Sequence, residues 1–185
     1  KETEEVKDVL RRVRKRIEDL SKKNKDDLRR VEERNKELNE RVKRLLEELK
    51  RRVDDLKRKG RREDDLTREV EKLERELEEV LRRMREETRK LEDEIRRLNE
   101  ELDRRLKKLE KEIRDTLKAL RERVERREDL ERVEEDVRRV IKEIRDLARE
   151  NHEENRDVIR RIRESNKRTE DEAREVLDRI RKTAT

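Results

Sequence analysis

His152 is the single histidine of the chain, and few other residues here are suited to chemistry. Followed by Glu153, it matches the opening of a zinc-protease helix. That chemistry needs a second imidazole one turn on to hold the metal, and the position is taken by Arg156. A di-iron Glu-x-x-His pair fails in the same way, because position 149 is Arg149. With no cysteine and one glycine, a thiolate nucleophile and a glycine-rich phosphate loop are both excluded, and no Ser-His-Asp arrangement stands out. The 56 acidic residues are so frequent that paired carboxylates at any spacing arise by chance. The expectation is no catalytic residue, no metal, no cofactor and no enzyme. His152 reads as a polar-cluster member or a half-exposed surface residue, with a pH-sensitive buried switch as the sharper alternative.

A second group of residues is polar where the surrounding pattern is apolar: Asn24 and Asn35, Thr88 and Asn99, Asn155 and Asn166. Within each pair the separation is 11 residues, or three helical turns, so both members share a helix face. Buried amides need partners, and polar side chains brought to one level from several helices can satisfy one another. Asn39, Thr67 and Thr116 fit this spacing less well and read as surface or cap residues.

Helices must position these groups. Although 64% of the residues are charged and 26% hydrophobic, the apolar ones are periodic, which separates the chain from the disordered class. Proline and every aromatic residue are absent, so strands are disfavoured and nearly all positions suit a helix interior. In the middle of the chain Leu66, Leu73, Leu77, Met84, Leu91, Ile95, Leu98, Leu102, Leu109, Ile113, Leu120 and Val124 are separated by three, four or seven residues, the steps of a seam that advances by three and four. Leu66, Met84, Leu102 and Leu120 are spaced by 18, five turns of an undistorted helix, which predicts little supercoiling. The first segment, Val6 to Leu56 with Leu45 in its stripe, and the third, Leu130 to Ile180, carry the same narrow seam.

Breaks follow the chemistry. Gly60 after Lys57-Arg58-Lys59 and before Glu63-Asp64-Asp65 reads as a C-cap, with cations closing one helix and anions opening the next. Arg126-Arg127-Glu128-Asp129 repeats the sign change, and the apolar phase slips after Val124, placing a tight second turn there. The reading is one domain over residues 1–185, an all-α, long antiparallel up-down-up three-helix bundle with nearly straight helices at about 2–59, 64–125 and 129–183. At a rise of about 1.5 Å per residue it would be a rod of roughly 85 Å.

Register tests this reading. Residue numbers totalling 123 oppose the first and second seams, and a total of 254 opposes the second and third. The polar positions then fall into two cross-sections, Asn24/Asn99/Asn155 and Asn35/Thr88/Asn166, with Ser21, Asn151 and His152 beside the first and Ser165 and Thr169 beside the second, so that each network extends over about a turn. Such layers penalise slipped pairings, since a shift sets an amide against leucine.

The net charge of +6 is the small difference between 62 basic and 56 acidic residues. A basic band, Arg11, Arg12, Arg14, Lys15 and Arg16 beside Lys107, Lys108, Lys111, Arg138, Arg139 and Lys142, suits weak, salt-dependent polyanion binding. Glu18, Asp19, Glu110, Glu112 and Glu143 dilute it, and a solvated face is the plainer reading. No apolar run approaches a membrane span or a signal peptide, so the chain is expected to be soluble, cytoplasmic in an expression host.

The 18-residue repeat, the Leu/Ile/Val seams, the Asn-rich layers and the Glu/Lys/Arg surface together resemble the computationally designed, parametrically generated helical bundles with buried hydrogen-bond networks. The resemblance covers the whole chain. It implies a structural scaffold with no natural biochemical function; the chain is expected to be a monomer requiring no partner, with self-association left open and an interaction, assembly or switch module as the alternative. The absence of a Gly-Asp-Pro turn departs from that pattern.

Overall fold

A computed structural model describes residues 2–59, 63–123 and 126–183 of the protein. They form an antiparallel up-down-up three-helix bundle of α1 (Glu2–Arg58), α2 (Glu63–Arg123) and α3 (Arg127–Thr183). The charges at the helix ends follow the peptide dipole: Lys57 and Arg58 close α1, Glu63, Asp64 and Asp65 open α2, and Glu128 and Asp129 open α3. Gly60 and Val124, on which the cap and the phase slip were argued, lie outside the described residues. Helix α2 ends at Arg123 and α3 begins at Arg127, and the Leu130 amide donates to the Arg126 carbonyl oxygen at 3.4 Å.

By packing, the chain divides into two compact units, each built from a stretch of all three helices. One comprises Lys1–Arg29 with Ile95–Asp157, the other Arg30–Glu94 with Val158–Thr185. The first buries Val6, Leu10 and Val13 of α1 with Leu106, Ile113 and Leu120 of α2 and Val133, Val137, Val140 and Ile144 of α3. The second buries Val31, Val42, Leu46, Leu49 and Val53 with Leu73, Leu77 and Met84 and with Ile162, Ala173, Val176 and Ile180. Every one of these positions belongs to a seam of three- and four-residue steps, so a modest apolar fraction suffices for a continuous core in each unit.

Met84, Leu102 and Leu120 are all buried, and Leu66, at the start of the series, is half-buried. Leu45 departs from expectation: it is 43% exposed while Leu46 is 2% exposed. The physical reason is phase. Val42, Leu46, Leu49 and Val53 keep the four-three-four rhythm, which leaves Leu45 about 100° round the helix from its neighbour.

Ion pairs flank the seam at a fixed register. In the first unit α2 meets α3 through Arg121–Glu134, Glu110–Arg145 and Asp103–His152, each at 3.0 Å. In the second the pairs are Glu92–Arg163 at 2.7 Å, Arg85–Glu170 at 3.7 Å and Glu74–Arg181 at 4.0 Å. The two residue numbers of every pair total 255, one more than the seam register, because flanking positions and seam positions differ in phase. Along α2 the partners recur by alternating steps of eleven and seven, which restores the 18-residue repeat in charge as well as in hydrophobicity. Exposed pairs of this kind each contribute less than about 1 kcal/mol, so they record the register more than they enforce stability.

Candidate functional site

Two clusters of polar side chains occupy the interior, one in each unit. In the first, the Asn24 amide Nδ2 donates to Asn151 Oδ1, and Asn151 Nδ2 donates to Asn99 Oδ1 at 2.8 Å. Asn99 Nδ2 lies 3.0 Å from His152 Nδ1, and His152 Nε2 lies 3.0 Å from Asp103 Oδ2. These bonds lead from buried Asn24 and Asn151 to the half-exposed imidazole and a carboxylate at the surface. The donor sense is uniform. With Asn99 Nδ2 donating, Nδ1 accepts and the neutral ring carries its proton on Nε2, directed at Asp103.

His152 also occupies a place in the charge repeat. At the equivalent positions 18 residues to either side, Glu134 faces Arg121 and Glu170 faces Arg85. Here alone among these three, a histidine faces a carboxylate, where the amide cluster reaches the surface.

In the second unit, Asn39 Nδ2 donates to Asn166 Oδ1 at 2.7 Å and to the Asn35 carbonyl oxygen at 2.9 Å. Asn166 Nδ2 donates to Thr88 Oγ1 at 2.6 Å, and the Thr88 hydroxyl donates to the Met84 carbonyl oxygen at 2.8 Å. Thr169 Oγ1 donates to Asn39 Oδ1. All three helices are thus joined in each cluster by side-chain hydrogen bonds.

Of the six polar positions singled out by spacing, Asn24, Asn99, Thr88 and Asn166 lie in these clusters. Asn155 is buried, yet neither atom of its amide has a hydrogen-bond partner, and Asn35 Oδ1 is likewise unpartnered. Their places are taken by Asn151 and Asn39, each one turn away on the same face. Asn39, read from the sequence as a surface or cap residue, is 6% exposed. Thr67 and Thr116 do behave as exposed residues whose hydroxyls donate to the carbonyl oxygens of Glu63 and Glu112 on their own helix. A sequence signal for the actual partners exists: Asn24 and Asn151, and Asn39 and Asn166, are both separated by 127 residues.

No group of three or more metal-ligating side chains occurs among the described residues, and no helix there is long and apolar enough to cross a membrane. The basic run of α1 is exposed and partly paired, Arg11 with Asp8 at 3.4 Å and Arg14 with Glu143 at 3.6 Å. Glu110 accepts from Arg114 at 2.9 Å and from Arg145 at 3.0 Å. Partial burial pushes its pKa up, but the two guanidinium hydrogen bonds and their charges outweigh this and hold it below the usual carboxylate range. A depressed folded-state pKa contributes stability above the unfolded value and loses it as pH falls through the folded one. Glu110→Gln should therefore lower the unfolding free energy by less than about 1 kcal/mol at neutral pH, with the gap closing in acid, as read by urea titration at both pH values.

The fold and the clusters define a class: an antiparallel three-helix bundle with amide-rich hydrogen-bonded groups inside its apolar seams. No family model matches the chain, and no curated protein matches its sequence. Among solved structures it is similar to a computationally designed three-helix bundle, at 17% identity and a TM-score of 0.48, covering 99% of this chain and 86% of that one.

Proposed function

We propose that the protein is a designed structural scaffold with no natural biochemical function, whose buried polar clusters specify helix register. The observation that carries this reading is the hydrogen bonding of Asn24, Asn151 and Asn99, one from each helix, inside an otherwise Leu/Ile/Val seam. Slipping α1 by one turn would set Leu20 or Leu28 at the height of Asn24 and leave the Asn151 amide against hydrocarbon, at about 1–3 kcal/mol for each unsatisfied group, so the cluster discriminates between registers of α1 more than it stabilises. The repeats of 18 residues in both core and charge support a generated rather than an accumulated sequence. The chain acts as a monomer, since the seams are consumed within it.

Sedimentation across a hundredfold range of concentration tests this. The monomer mass should hold throughout, and replacing Asn24, Asn99 and Asn151 together by Leu should retain helicity while adding dimers or further registers. A triple variant that stays monomeric with a single sharp unfolding transition would contradict the register role.

A further inference from the structure

A groove of about 990 Å³ lies between α2 and α3 in the first unit. Its composition is unlike that of two smaller surface clefts. A small cleft near Asn24 is bordered by Lys23 and Arg105 against Asp27 and Glu101, and another by Arg52 and Lys59 against Asp55 and Glu69. Both balance. Along the large groove, one lip carries Arg114, Lys118 and Arg121, and the other Arg138, Lys142, Arg145 and Arg149. Three carboxylates, Asp115, Glu134 and Asp146, oppose these seven cations. The spacings 114, 118, 121 and 138, 142, 145, 149 are helical steps, so each lip is a rail of positive charge. Between the rails the floor is aliphatic: half-buried Ile141, with the buried Leu117 and Val137 beneath it.

Several of the cations are already held, Arg121 by Glu134, Arg114 and Arg145 by Glu110, and Arg149 by Asp146. Lys118, Arg138 and Lys142 have no ion-pair or hydrogen-bond partner among the described residues. Lys118 sits across the floor from Arg138 and Lys142.

We propose that this groove binds a sulfated oligosaccharide of the heparin type. Its pyranose rings offer C–H faces to the aliphatic floor while sulfates on both edges reach the two rails, and a bare phosphate chain would leave the floor unused. Single-stranded nucleic acid is disfavoured because the chain has no aromatic side chain on which a base could stack. Binding should be salt-dependent, since it displaces counterions.

The test is calorimetric titration of the full chain with a heparin-derived hexasaccharide at low salt. Lys118→Gln, Arg138→Gln and Lys142→Gln combined should weaken binding by at least about tenfold and make the log–log salt slope shallower by roughly three. A matched triple, Lys22→Gln, Lys36→Gln and Lys43→Gln, removes the same charge from exposed positions on α1 and should leave affinity within about twofold. Absence of binding, equal loss in both triples, or equal affinity for a polyphosphate of similar charge would each overturn the proposal.

The donor sense of the first cluster carries a second, independent inference: protonation of His152 at Nδ1 reverses the amide hydrogen bonds that run through Asn99, Asn151 and Asn24 and leaves that to Asp103 unchanged. A proton added at Nδ1 would face the Asn99 amide hydrogens, so Asn99 must turn its Oδ1 to the ring. Asn151 then receives a donor where it had an acceptor and turns in its place, and Asn24 turns last. Asp103 continues to accept from Nε2 in both states. Asp103 on α2 is the charged partner of the imidazole; Arg96, Glu100 and Lys107 neighbour Asn99 and Asp103 along α2, Arg149, Glu153 and Arg156 neighbour His152 along α3, and α1 contributes the uncharged Asn24 to this cluster.

Side-chain amide resonances report this directly. Those of Asn99, Asn151 and Asn24 should move with the same midpoint as the His152 ring, those of Asn166 in the other unit should not, and His152→Gln should abolish the shared transition. A ring that titrates while Asn151 and Asn24 stay fixed, or a transition that survives in His152→Gln, would overturn the inference.

Discussion

Replacing Asn155 with Leu should raise the unfolding free energy by about 1–3 kcal/mol, while the same replacement at Asn151, one turn away on α3, should lower it by about 2–4 kcal/mol. The two residues share type, helix and burial, at 4% and 3% exposed. They differ in partners. Asn151 bonds Asn24 and Asn99, whereas neither atom of the Asn155 amide is bonded. Leucine at 155 replaces an unsatisfied amide with hydrocarbon of similar size, which costs little packing and removes a desolvation penalty. Leucine at 151 strands a buried donor on Asn24 and an acceptor on Asn99. Asn99 is half-buried and recovers part of its loss from water, which keeps the estimate below the sum of two full penalties. Guanidinium unfolding of both single variants decides the matter, and shifts of the same sign would contradict the assignment of partners.

Leu77→Ala should cost about 2–5 kcal/mol, the largest single truncation effect anticipated here. Leu77 has no exposed surface and lies in the second unit with Leu73 and Met84 on the same seam, so the deleted atoms leave a cavity that a close-packed interior fills only partly. Leu45→Ala, at a residue 43% exposed, should change stability by less than about 0.5 kcal/mol. The contrast tests whether Leu45 lies outside the core. It also ranks the forces: one core leucine outweighs the exposed pair of Glu74 and Arg181 on the same unit several-fold.

Much of the architecture was legible because few residue types carry it. With proline absent and apolar residues confined to one seam, helix class and phase followed from spacing, and the sign changes at Lys57-Arg58-Lys59 and at Arg126-Arg127-Glu128-Asp129 marked the turns. The polar clusters were legible only to within a turn. Asn35 and Asn39, or Asn151 and Asn155, differ by four residues and so face nearly the same way, and the 3.6-residue period cannot choose between them. What chooses is the height at which one helix meets the next, a tertiary quantity. Constant separations, 127 for the bonded Asn pairs of α1 and α3 and a total of 255 for the ion pairs of α2 and α3, hold that information. Leu45 was misplaced for a related reason: Leu45-Leu46 offers two phases, and the seam to either side selects the second.

The central claim is that particular amides meet inside each unit, and nuclear Overhauser contacts between side-chain amide protons test it most directly. Strong contacts are predicted from Asn151 to Asn24 and Asn99, and from Asn166 to Asn39 and to the methyl group of Thr88, with none joining Asn155 to Asn24. Contacts of Asn155 with Asn24, and of Asn35 with Asn166, in place of these would contradict the account.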